Sequence, residues 1–228
     1  MPINSFEGET FVAFTDISGF KNLMKEGSAP DALDRLYQIG YETLQGNDQI
    51  EGLFVSDCGI LFARDTENHE DAFLRMLKIS RKINERMLVH DYMLTTSIAF
   101  GQFKYENRIE FPGIQKSPAY GNAYLAAYLD NETVKPAIQP GQCRIIKKKL
   151  PHEIETICKN KHYTSTDSHN KLLELIQPRG RDVDHYYFYW MVNNPIEIEN
   201  FEKQYNNSYA LKYSGMLKAL KNRNSSIH

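Results

Sequence analysis

The segment Phe11-Val-Ala-Phe-Thr-Asp16 is a short apolar run that ends on an acid, and the residues after it place Phe20, Leu23 and Met24 at helical spacing. A strand, a tight turn and a helix in immediate succession narrow the possible folds sharply, because they leave a carboxylate at the end of a strand that the core must cover. A second amphipathic stretch follows. Ser28 stands where a helix N-cap belongs, Pro30 lies just inside, and Leu33, Leu36, Tyr37, Tyr41 and Leu44 recur on one side. Residues 52–55 and 59–63 then read as two strands joined by the small polar tip Ser56-Asp57-Cys58, a hairpin with a second acid at its turn.

Asn68 opens a further helix, with Ala72, Phe73, Met76, Leu77, Ile79, Ile83 and Met87 on its apolar side. A β-rich segment over 92–103, a polar and turn-like stretch over 104–115 and a helix over 121–129 come next. The order β-α-β-β-α-β predicts an α+β fold with a ferredoxin-like antiparallel sheet, in which the first strand is central and packing helices cover the sheet. Beyond it lie predicted strands over 143–146 and 186–192, a polar stretch over 159–170, and a helical C-terminal extension. The 228 residues suffice for one substantial domain, so 1–195 is expected to form it and 196–228 to pack on it as that extension.

Composition narrows the function classes. Apolar residues make up 41% and aromatics 12%, too many for a disordered chain. Lys and Arg number 27 against 29 Asp and Glu, a net charge of −2, so there is no basic field to hold a polyanionic duplex, and a nucleic-acid partner is disfavoured. No basic and apolar leader stands at the N-terminus, and no run of about 18 apolar residues occurs, so no membrane span is expected. Cys58, Cys143 and Cys158 are odd in number and widely spaced, which predicts a cytoplasmic, reduced chain without structural zinc.

In a β-α-β-β-α-β sheet, Asp16 and Asp57 become neighbours. Two clustered carboxylates repel each other and commonly imply a cation, and oxygen donors with open positions suit magnesium or manganese beside a phosphate. The plainer alternative is that Asp16 caps the following helix and Asp57 forms a turn.

The motifs speak to that choice. Phe14-Thr-Asp-Ile-Ser-Gly-Phe20 resembles the first metal motif of class III nucleotidyl cyclases, and Phe54-Val-Ser-Asp-Cys-Gly-Ile-Leu-Phe62 is similar to the hairpin that carries their second metal Asp. Thr96-Ser-Ile-Ala-Phe-Gly101 and Gly121-Asn-Ala-Tyr-Leu-Ala-Ala-Tyr128 resemble the family's next strand and helix, and together these motifs cover about residues 8 to 150. The resemblance implies that Asp16, Asp57 and the Ile17 carbonyl hold two magnesium or manganese ions per site. It implies a nucleoside triphosphate substrate and a homodimer with sites at its interface. The chain departs from the family where its transition-state Asn and Arg belong. Those positions fall on Leu125 and Leu129, or on Tyr124 and Tyr128 in a register shifted by one. Leu53 stands four residues before Asp57, where adenylate cyclases hold a base-selecting Lys. Within the superfamily the chain resembles the pyrimidine cyclases of bacterial Pycsar anti-phage systems, in its Ser-Asp hairpin, its Gly121 to Tyr128 helix start and its Lys212-Tyr-Ser-Gly-Met-Leu217 segment. Cyclic UMP or cyclic CMP is then the implied product.

The triphosphate needs cations of its own, because charge grows on the leaving pyrophosphate. Lys104 and Arg108 are the chosen candidates, with Arg64 and Lys147-Lys-Lys149 behind them; backbone N–H groups at Ser18, Gly19 and Phe20 form a possible anion cradle, and Leu53 faces the base. Ser56 is assigned to the turn and the aromatic run from His185 to packing. A catalytically silent cyclase-homology module is the rival expectation, and a phosphoesterase would need more His or Asp ligands than the chain places.

Overall fold

Strand β1 (Phe6–Ile17) is the axis of the fold, paired along its length with β4 (Leu94–Tyr105) and over residues 12–16 with β3 (Cys58–Ala63) on its other side. Its side chains alternate between two buried layers, Phe11, Ala13 and Ile17 to one side and Val12 and Phe14 to the other. A strand covered on both faces reads as a continuous apolar run, which is why residues 11–14 carry no polar alternation. The computed structural model describes residues 4–47, 49–64, 67–111, 114–116, 118–160 and 168–209. The segment 212–217 lies outside the described residues.

The sheet runs β2 (Ile50–Val55), β3, β1, β4, β8 (Cys143–Ile146), β10 (His185–Phe188), β9 (Ile176–Pro178), the two-residue β7 (Ala119–Tyr120) adding to β4. On one face pack α1 (Phe20–Glu26), α2 (Ala29–Leu44), α3 (His69–Val89), α5 (His152–Lys159) and α6 (Ile198–Tyr209), which share one core with Phe11 and Ile17. Asn68 caps α3 as its sequence predicts, its Oδ1 accepting from the Asp71 N–H at 3.1 Å. The opposite face carries α4 (Asn122–Glu132), which covers Phe14, Phe62 and Phe103 through Ala123 and Ala127. Fully burying a side chain the size of Phe62 contributes about 1.5–3 kcal/mol.

The β-α-β-β-α-β unit is as expected, with β2, β3, β1 and β4 antiparallel throughout and β1 central, and β8 extends that sheet by joining β4 in parallel after the crossover through α4. Three expectations change. The stretch over 104–115 is not simply a turn: β4 extends to Tyr105, and β5 (Arg108–Phe111) pairs with β6 (Ile114–Lys116) in a separate hairpin. The 159–170 segment is preceded by helix α5 and ends in a 3-10 turn over Ser168–Leu175, neither foreseen, while 161–167 fall outside the described residues. The aromatic strand stops at Phe188, and Tyr189 and Trp190 leave it to fill the core, Trp190 donating to the Gly141 carbonyl at 2.8 Å.

Helix α4 is fixed to the sheet by buried charge. Asp130 accepts from Arg144 Nε at 3.1 Å and from Ser97 Oγ at 2.6 Å, and its other carboxylate oxygen lies 2.8 Å from His185 Nε2 and 3.0 Å from Arg144 Nη2, at ion-pair rather than aligned hydrogen-bond geometry. His185 Nδ1 faces Asp182 at 2.9 Å. Gly121, just before the helix, has φ 138°, and a Cβ there would lie 2.2 Å from the Gln102 carbonyl oxygen, so only glycine lets α4 start this close to β4.

Candidate active site

Side-chain alternation along β1 turns Asp16 to the same face as Phe14, the face that α4 covers. Opposite it across the β1–β3 ladder stands Cys58, and the intervening tip is clamped: Ile17 N–H donates to the Asp57 carbonyl at 3.0 Å, and Tyr37 of α2 donates its hydroxyl to the Ser56 carbonyl at 3.0 Å. Ser56 itself takes a left-handed φ of 54°, which turns the chain in two residues. The structure thus brings Asp16 and Asp57 together, from positions 41 residues apart.

It adds Glu132, which the sequence did not single out, and it sets beside the acids Tyr124 and Tyr128, which the sequence marked only as positions without the family's Asn and Arg. Glu132, at the C-terminal end of α4, acts electrostatically on Asp16 and on Cys58, and Tyr124 and Tyr128 reach the same corner, Tyr128 meeting the Phe14 ring edge-on at 5.4 Å. Their spacing, 124, 128 and 132, is one stripe of the helix, and that periodicity was the available signal. Thr95 of β4, the partner of Asp16, donates to Asn131 at 2.9 Å and ties the end of α4 to this corner.

The corner is starved of positive charge. Burial, then Asp57 and then Glu132 push the Asp16 carboxyl up to about 7, and among the described residues none of these three acids forms an ion pair. Burial, followed by Asp16, Asp57 and Glu132, raises the Cys58 thiol to about 11, so it stays protonated at neutral pH and is no nucleophile. A pair of hard oxygen donors that resists being charged together fits a divalent cation, with Asp16, Asp57 and the Ile17 carbonyl as donors. Among the described residues no group of three or more His, Cys, Asp or Glu side chains is placed to hold a metal ion, so further donors must come from outside these side chains.

The remaining sequence candidates separate. Ser18 does not offer its N–H to an anion, because that group donates to the Met93 carbonyl at 2.9 Å and the hydroxyl is buried. Gly19, at a left-handed φ of 78°, and Phe20, whose ring enters the core, keep only backbone N–H groups at the start of α1. Leu53 is half-buried on the α4 face, packed beside Ile60. Lys104 is not beside the acids of its own chain: it lies nine residues along β4 from Thr95, about 30 Å away, and pairs with Glu7 at 2.9 Å and Glu106 at 3.2 Å. Arg108 is in β5, beyond Lys104, and its side chain lies outside the described residues. Arg64 is bound to Glu51 at 2.5 Å and rests over Phe6 and Phe62, a structural role. Lys147, Lys148 and Lys149 line a cavity on the far flank of α4.

No protein-family model and no curated protein matches the sequence. Solved structures do match in fold. The adenylyl cyclase CyaB from P. aeruginosa is 17% identical, with a TM-score of 0.52 over 64% of this chain and 80% of that one. The non-canonical dimeric guanylyl cyclase domain of the RhoGC fusion protein from the aquatic fungus Blastocladiella emersonii is 15% identical, with a TM-score of 0.57 over 82% of this chain and 96% of that one. A rhodopsin-guanylyl cyclase catalytic core of converted specificity, in complex with ATPalphaS, is 16% identical, with a TM-score of 0.53 over 82% and 97%. The mixed sheet, its packing helices and the hairpin beside β1 therefore make the fold of this chain that of the adenylyl and guanylyl cyclase catalytic domains.

Proposed function

We propose that this protein is a nucleotide cyclase that converts a ribonucleoside triphosphate into a 3′,5′-cyclic monophosphate and pyrophosphate. The observation that carries the reading is the pair Asp16 and Asp57 at one corner of a cyclase fold, with no lysine, arginine or histidine among the described residues paired to either acid. Two bound magnesium or manganese ions would supply charge neutralisation on the triphosphate and a lowered pKa for the ribose 3′-hydroxyl. Asp16 and Asp57 present the oxygen donors, the Ile17–Asp57 hydrogen bond holds their two loops in register, and the Gly19 and Phe20 N–H groups face the phosphates. In the reaction the 3′-oxygen forms a bond to the α-phosphorus, the bond from that phosphorus to the bridging oxygen of pyrophosphate breaks, and the hydroxyl proton leaves to solvent.

The working unit in this reading is a homodimer. Leu125, Tyr128 and Leu129 of α4 are 54%, 40% and 39% exposed, an apolar stripe that a second copy would cover. A pyrimidine substrate, UTP before CTP, and a role in anti-phage defence rest on the resemblance to Pycsar cyclases and on Leu53, which offers no hydrogen bond to a purine edge.

The silent-module reading has one observation in its favour: the α4 positions where the family carries Asn and Arg hold Leu125 and Leu129, or Tyr124 and Tyr128 in the register shifted by one. One experiment separates the two. The protein is incubated with each of the four ribonucleoside triphosphates and manganese, and the products are identified by mass. A cyclic pyrimidine monophosphate is expected; cyclic AMP as the main product would reject the base assignment, and no cyclic product from any substrate would leave the silent module.

A further inference from the structure

The hairpin tip that carries Asp57 is pinned from two sides. Three consecutive carbonyls there accept hydrogen bonds: Val55 from the Cys58 thiol at 3.1 Å, Ser56 from the Tyr37 hydroxyl at 3.0 Å, and Asp57 from the Ile17 N–H at 3.0 Å. The first is internal to the hairpin, whereas Tyr37 reaches in from α2 and Ile17 from β1. A peptide unit is planar, so its carbonyl and the next residue's N–H turn together. The Ser56 and Asp57 carbonyls belong to the two peptide planes that flank the Asp57 Cα, and fixing both planes fixes the direction of its side chain.

The plane on the Ser56 side is the strained one. Ser56 adopts φ 54°, a left-handed conformation that crowds any residue with a Cβ and that glycine takes freely. Rotation back to a negative φ would turn the Ser56 carbonyl, and with it the Asp57 carboxylate, out of the orientation held beside Asp16. Strain kept at a non-glycine residue next to a candidate metal ligand is a pointer to function. Tyr37 opposes that rotation from a fixed base, because α2 cannot shift. Ala32, Leu36 and Ile39 bury one side of the helix in the core, and a Cβ at Gly40 would run into the Phe54 ring, so only glycine lets α2 lie this close to β2. Arg86 of α3 then holds the far end of α2 through Glu42 and Thr43. Tyr37 itself is 39% exposed and adds little to the core, so its hydroxyl is the part of the side chain with a task.

We propose that Tyr37 is a positioning residue for Asp57: by holding the Ser56 carbonyl it offsets the cost of the left-handed turn and so presents the Asp57 carboxylate to the same divalent cation as Asp16. This deepens the cyclase reading and rests on it for the cation, whereas the clamp on the tip stands on the hydrogen bonds alone. A tyrosine on a helix thereby does what a glycine in the turn would do unaided. The Tyr37 hydroxyl then matters only while residue 56 carries a Cβ. Its loss is felt at metal binding more than in folding, because the freed Ser56 carbonyl is on an exposed residue and finds water instead.

Two measurements test it. In the first, manganese alone is titrated into the full-length protein, Tyr37→Phe, Ser56→Gly and the double variant, and the free ion is followed by electron paramagnetic resonance. Tyr37→Phe should bind manganese at least fivefold more weakly, about 1 kcal/mol at 1.4 kcal/mol per decade, and should melt within about 4 °C of the parent. In the Ser56→Gly background the same change should cost less than twofold, because that turn no longer needs holding. No loss with Ser56 present, or an equal loss with glycine in its place, would overturn the assignment. The second measurement needs no metal. The Ile17 N–H is bonded to the Asp57 carbonyl, so its hydrogen exchange, read by NMR, reports opening of the tip. In Tyr37→Phe it should exchange at least fivefold faster, while the amides of residues 11–14 in the middle of β1 keep their rates; an unchanged rate at Ile17 would overturn the clamp. A parent protein that binds no manganese fails the metal reading alone, and the Ile17 exchange still decides whether Tyr37 holds the tip.

Discussion

Replacing Asp130 by Asn keeps the shape of the side chain and removes the one charge that both Arg144 and His185 face. Arg144 is 0% exposed and His185 3%, so neither can turn to water once the carboxylate is gone. Breaking a buried ion pair from one side typically costs about 3–5 kcal/mol. For a chain of this size each kcal/mol lowers the melting temperature by about 2–4 °C, so Asp130→Asn should melt about 6–20 °C below the parent at pH 7. Circular dichroism at 222 nm, followed through a thermal ramp, reads it. Adding Arg144→Met to Asp130→Asn should cost less than Arg144→Met does in the parent, because the second change removes the stranded guanidinium. A loss under about 2 °C in the single variant, or strictly additive losses in the pair, would refute the view that this cluster anchors α4 and with it the wall of the lysine cavity.

Further expectations follow from the same geometry. Burial pulls the His185 pKa down, but Asp130 and Asp182 outweigh it and leave it raised above 6.5; its contribution to stability is therefore complete below about pH 6.5 and lost as pH rises through the higher folded value, a slope that His185→Gln should abolish in melting curves between pH 6 and 9. Burial likewise raises Asp130 while His185, Ser97 and Arg144 overcome it, so its contribution is present above 3.8 and disappears as acid titrates the lowered folded value. Gly121→Ala meets a backbone carbonyl at 2.2 Å and an unfavourable φ of 138°, and should lose at least about 1–3 kcal/mol in urea denaturation. Asp57→Asn should abolish cyclisation without lowering the melting temperature, since it relieves repulsion with Asp16, and retained turnover would remove Asp57 from the chemistry. Leu125→Asp should leave a monomer by light scattering and no turnover; an active monomer would refute the shared site.

Local pattern was sufficient for what is local. The apolar run before Asp16, the hairpin turning at Asp57, the Asn68 cap and the 3.6-residue stripe of α3 each encode an element within about twenty residues, and the structure keeps all four, with Cys58 moved from the expected tip into β3. The neighbourhood of Asp16 and Asp57 was legible too, because β-α-β-β-α-β connectivity lays the central first strand beside the hairpin that carries Asp57, and β3 is the hairpin strand that pairs with it. Distances between remote segments were not legible. The full twelve-residue register of β1 on β4 is what carries Lys104 to the opposite end of the sheet, and an approach of Ser18 to Met93 across 75 residues is what consumes its N–H. The parallel docking of β8 on β4 then sets Lys147 to Lys149 on the far flank of α4 from the acids. A sequence specifies which face of an element is apolar through short-range periodicity, whereas the charges that meet across faces depend on register, layer and handedness, and those are fixed only when the whole core closes.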